Sequence, residues 1–135
     1  MPSSNNINKA FETIEFRGLA VDAYLTTQLS GVRKVAEKEF TYGYKKKRSD
    51  GSETNKFATL MILRGDPAIV LHVGDKADKH GLRIQQEVDK KLNQTYKRNQ
   101  NQIDEKAHEV FIKLDWVKEL ADITPFINEA YEKRD

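Results

Sequence analysis

Apolar and polar residues trade places along the last third of the chain in a way that marks a strand, a linker and a closing helix. Val110, Ile112 and Leu114 alternate with Glu109 and Lys113, the period of two expected of a strand with one buried and one polar face. Thr124 and Pro125 predict a helix start, with threonine as the cap and proline in the first turn, where its missing N–H costs nothing. Phe126, Ile127, Ala130 and Tyr131 then share one stripe of that helix.

The period changes after Gly81. Ile84, Val88, Leu92 and Tyr96 recur every four residues among glutamines, lysines and acids, which predicts an amphipathic helix with a narrow apolar stripe. Such a stripe covers the sheet of its own domain or docks a partner, including a second copy in a homodimer, and Trp116 is a further candidate for that interaction. Upstream, Phe40, Tyr42 and Tyr44 alternate with Thr41 and Gly43. Ser49 to Ser52 supplies turn residues, and Phe57 to Leu63 resumes a strand, so a hairpin with a long polar tip is expected. Arg64-Gly65-Asp66-Pro67 marks another turn before Ala68 to Val73, a strand apolar on both faces and so expected to lie centrally. Ile7, Ala10, Phe11 and Ile14 repeat at helical spacing, which predicts an N-terminal helical region ending near Gly31 after a flexible segment at residues 1–6. Together these elements predict one α+β domain over residues 1–135, with an antiparallel sheet of about four strands and helices packed mainly on one face.

Composition narrows the class. At 135 residues there is room for one core, and 38% hydrophobic against 33% charged residues is polar without being the composition of a disordered chain. The absence of cysteine excludes disulfides and thiolate metal sites and fits a cytoplasmic setting. No signal pattern and no apolar run near ~18 residues is present, so no membrane span is expected. The net charge of +2 hides an uneven distribution. Residues 33–56 carry eight Lys or Arg against four acids, whereas residues 104–135 carry five against nine. A basic middle and an acidic end attract opposite partners if the fold separates them, and neutralise each other if it does not.

The stretches Phe40 to Tyr44, Phe57 to Leu63, Ile69 to Val73, Phe111 to Leu114 and Asp122 to Glu132 occur in an order that resembles the small DUF5655-type domain and the broader MmcQ/YjbR-like double-wing arrangement. The resemblance implies an α+β domain, some of whose relatives are attached to nucleic-acid-processing proteins. It carries over no catalytic residue, and the segment from Gly81 to Tyr96 is longer than it implies.

The clearest candidate site is Tyr42, Tyr44, Lys45, Lys46, Lys47 and Arg48 with Lys38 and Lys56, since bases stack on aromatic faces while cations neutralise phosphates. Asp75, Asp78 and His80 lie close in sequence, but the lysines among them oppose a cation and a surface loop is the better account. His72 reads as a hydrogen-bonded core or edge residue, and His108 as the start of the last strand. Asp66, Asp75, Asp89 and Lys91 form a nuclease set only on paper, because Asp89 and Lys91 fall in the predicted helix. Ser30 lacks a nucleophile elbow, Gly65, Gly74 and Gly81 are turn punctuation, and Arg64-Gly65-Asp66 reads as a turn. No catalytic residue, metal ligand or cofactor is therefore assigned. The expected function is a binding or accessory module without enzymatic activity that contacts nucleic acid first and an acidic protein second. An interaction or inhibitory factor working through the amphipathic helix, and a small hydrolase or nuclease whose site assembles from distant residues, are the alternatives.

Overall fold

A computed structural model of the chain describes residues 21–38, 41–63, 66–74 and 79–134, and of Lys38 the backbone only. The expectations for residues 1–20, for Phe40, for Arg64 and Gly65 and for Asp75 and Asp78 lie outside these.

Five antiparallel strands stand side by side in chain order: β1 (Val32–Lys38), β2 (Thr41–Lys47), β3 (Glu53–Leu63), β4 (Asp66–His72) and β5 (Glu109–Lys113). The strand beyond the expected four is β1. Val32 and Val35 are three residues apart among charged neighbours, and an edge strand with one pairing partner carries little period-two signal. The register Tyr42↔Leu60, Leu60↔Ile69 and Ile69↔Ile112 gathers the large apolar side chains onto one face. That face is covered by α1 (His80–Leu92) and α3 (Thr124–Lys133), through Ile84, Val88, Leu92, Ile127 and Ala130.

The amphipathic stripe is thus committed to its own domain rather than to a partner. Its fourth member leaves the helix altogether. Asn93 takes a left-handed conformation at φ 55 and its N–H bonds back to Asp89 and Lys90, which ends α1 at Leu92. Tyr96 then crosses to the opposite sheet face and stacks on Phe111, with ring centroids 5.0 Å apart and planes at 14°. Trp116 is half-buried against the same cluster. Between them a short helix, α2 (Gln100–Asp104), begins with a capping box in which Asn99 and Gln102 exchange side-chain and backbone hydrogen bonds. At α3 Pro125 occupies the first turn as expected, but the cap position is Ile123, and the Thr124 hydroxyl donates back to the Ala121 carbonyl at 3.4 Å.

The outer edge of β5 is closed by side chains. Gln85 of α1 accepts from the Phe111 N–H at 2.7 Å and donates to the Phe111 carbonyl at 2.9 Å, replacing the missing neighbour strand. Arg98 donates to the carbonyls of Gln102, Lys106 and Glu109. Among the described residues no helix is long and apolar enough to cross a membrane.

Candidate functional site

The sheet face opposite α1 and α3 carries Thr41, Gly43, Lys56, Thr59, Met61, Val70, His72 and Glu109, a polar surface framed by Tyr96 and Phe111. Two adjoining hollows lie on it, of about 270 Å³ and about 330 Å³, and both are lined by Lys56, His72 and Glu109. The first extends over Thr41 and Met61; the second reaches His108 and Arg134 at the sheet end. Together they form one groove.

His72 and Glu109 meet because they are register partners in the β4–β5 ladder, the closest approach two side chains on neighbouring strands can make. His72 Nδ1 lies 3.1 Å from Glu109 Oε2, while its Nε2 lies 3.0 Å from the Thr59 hydroxyl. His108 brings Nε2 to 3.7 Å from the same carboxylate oxygen, and the His72 and His108 rings stand 6.3 Å apart. Donor atoms of all three residues fall within 4.8 Å of one another.

The electrostatics pull both ways: the Glu109 carboxylate attracts a cation, while Lys56, Lys106 and Arg134 around the hollows oppose one. Burial alone would raise the Glu109 carboxyl, but the hydrogen bond from His72 and the neighbouring positive charge of Lys106 hold it below the ordinary carboxylate value, so it is ionised at neutral pH. Burial depresses the His108 ring more than Glu109 raises it, which keeps the imidazole neutral. An ionised carboxylate beside a neutral imidazole is the protonation state a metal ion requires of its ligands. His72 is held from both sides, Nδ1 donating to the ionised Glu109 carboxylate and Nε2 lying against the Thr59 hydroxyl. Nδ1 therefore has to give up its proton, with Nε2–H then donating to Thr59, before it can ligate an ion. His108 Nδ1 is buried without a hydrogen-bond partner, so nothing comparable sets its tautomer.

The residues singled out in the sequence are scattered by comparison. Tyr42 and Tyr44 are 5% and 0% exposed beneath the helices, and burial with the Asp22 charge pushes the Tyr44 hydroxyl far above its ordinary pKa. Neither ring can stack on a base. Lys46 lies on the helix side, donating to the Tyr131 carbonyl at 2.8 Å, and Arg48 is bound within its own hairpin to Ser52 and Glu53. Lys45 is half-buried and Lys47 exposed, while Lys56 bonds to Glu37 on the opposite face. The acidic end approaches this basic hairpin directly, since α3 supplies the Tyr131 carbonyl. Asp89 and His80 both belong to α1, away from any shared site with Asp66 at the start of β4.

The triad of His72, His108 and Glu109 is hidden in the sequence because each residue taken singly carries no signal. Aligning Ile69 and Leu71 with Ile112 and Val110 sets His72 against Glu109, but that alignment has no meaning until β4 and β5 are neighbours in the sheet. No family model, curated protein or solved structure matches the chain.

Proposed function

We propose that this chain is a small metal-dependent hydrolase whose site is the groove over His72, His108 and Glu109. The observation that carries the reading is the convergence of two imidazoles and one ionised carboxylate at the floor of an accessible hollow. Two histidines and a carboxylate with an open position are the ligand set of catalytic zinc sites, where bonds of ~2.0 Å place donor atoms about 3.3 Å apart. The Glu109 oxygen already stands near that separation from both rings, at 3.1 and 3.7 Å. A bound divalent ion supplies Lewis acidity that makes water a competent nucleophile at neutral pH. The chain's part is to hold the ion in a fixed orientation through Thr59 and the β4–β5 ladder, and to admit substrate along the groove. In the hydrolysis a water oxygen bonds to the central atom of an ester, the bond to the leaving oxygen breaks, and one water proton ends on that leaving oxygen. Nothing is oxidised or reduced.

Titration with Zn²⁺ and Co²⁺, followed calorimetrically and by cobalt absorption, tests the reading. One ion per chain is expected, with affinity reduced about 100-fold by His72→Ala or His108→Ala, and about 10-fold by Thr59→Val. Ester hydrolysis is expected to cease with chelator and return with metal. Uptake indifferent to both histidine substitutions, or no uptake, would overturn the proposal.

A further inference from the structure

The cation beside this site is mounted in an unusual way. Lys56 projects from β3 into the groove, and its Nζ is gripped by both oxygens of Glu37, at 2.7 and 3.0 Å. Glu37 belongs to β1, so its side chain must cross β2 to reach β3. It crosses at Gly43. A Cβ added there would lie 3.1 Å from Glu37 Cδ and 3.2 Å from Lys56 Cδ, and nearer still to a carboxylate oxygen. Gly43 is not among the glycines with positive φ, so its backbone does not demand glycine. What glycine supplies here is space, in a strand interior where it costs about 0.5–1 kcal/mol against alanine.

The ion pair is about one-third exposed, with side-chain values of 34% for Lys56 and 27% for Glu37. An ammonium has three donors, and a single carboxylate facing Nζ with both oxygens does not occupy them all, which leaves donor capacity for the groove. Lys56 lines both hollows together with His72 and Glu109, and Lys106 and Arg134 contribute further positive charge at the walls. A neutral ester would make no use of this arrangement. Shape does not decide between a carboxylate and a phosphate, since the Lys56 ammonium already holds the Glu37 carboxylate. Charge does, because Lys56, Lys106 and Arg134 gathered around the hollows favour the group that carries more negative charge and more oxygens, a phosphate.

We infer that Lys56, held by Glu37 over Gly43, binds an anionic oxygen of the substrate, and that the substrate is a phosphate ester. This rests on the metal-centre reading. Glu37 and Gly43 act as positioning residues, and Lys56 touches the substrate itself.

Inorganic phosphate is the probe, measured by ³¹P relaxation in protein loaded with Co²⁺, with acetate as competitor and metal affinity determined in parallel. Phosphate is expected to bind the loaded wild type and to resist acetate. Lys56→Met, which keeps the aliphatic stem, is expected to weaken it by about tenfold or more, the worth of one charge-assisted hydrogen bond. Gly43→Ala should weaken phosphate in the same direction while retaining the lysine, because the new Cβ displaces the Glu37 carboxylate. Neither change should alter metal affinity more than about twofold, a split that a merely structural role would not produce. Metal uptake with phosphate binding indifferent to Lys56→Met, or acetate displacing phosphate freely, overturns this inference alone. Failure of the wild type to take up metal overturns both.

Discussion

Gln85→Met is expected to destabilise the protein by about 3 kcal/mol, although methionine is an apolar side chain of similar length entering a buried position. Gln85 is 4% exposed and supplies both partners of the Phe111 backbone, at 2.7 Å to the N–H and 2.9 Å from the amide to the carbonyl. Methionine preserves most of the volume and leaves both backbone groups buried and unpaired, each costing about 1–3 kcal/mol. Gln85→Ala adds a cavity to the same loss, so the difference between the two variants isolates the packing contribution. Urea denaturation of both measures it. Stability within about 0.5 kcal/mol of wild type for Gln85→Met would show that water or a shifted neighbour replaces the amide.

Gly81→Ala is the second large effect, and its sign separates local from tertiary causes. Gly81 lies in the first turn of α1, where intrinsic preference favours alanine by about 1 kcal/mol. An added Cβ there would meet backbone atoms of the segment leading into β5: Glu109 N at 2.5 Å, and the Ala107 and Glu109 carbonyl oxygens at 2.6 Å each. None of these is the movable end of a side chain, so α1 must lift from the strand. A loss of about 3 kcal/mol is expected, at the upper end of what overpacking costs. Thermal unfolding decides between the two: a higher Tm would mean that helix preference prevails and that this close approach relaxes freely. Because Glu109 must move with its backbone, metal affinity should fall in the same variant.

Much of the architecture is legible in short stretches. The alternation around Tyr42 and Tyr44 and from Phe57 to Leu63 marks β2 and β3, the apolar run from Ala68 marks β4 as an interior strand, and the four-residue period from Ile84 marks α1. These are faces set by burial, and burial writes its period into neighbouring residues. β1 escapes because a charged edge strand has little buried face to record. Glu109 misleads for a related reason. As the polar member of an alternating strand it is expected to face solvent, but it is 9% exposed at the groove floor, in the row where Tyr96 returns to cover Phe111.

Sequence by itself determined the antiparallel α+β character of the chain, most of its strands and the stripe that α1 buries, because each depends on residues a few positions apart. Tertiary structure decided that the aromatic residues of the basic hairpin face inward, that the acidic helix meets that hairpin, and that His72, His108 and Glu109 stand together beside Lys56. Those relations depend on strand order and register across long loops, and pairing between distant segments leaves no period in either one. Gly43 shows the difference most simply: along the chain it is a break in a row of tyrosines, and in the sheet it is the gap through which Glu37 reaches Lys56.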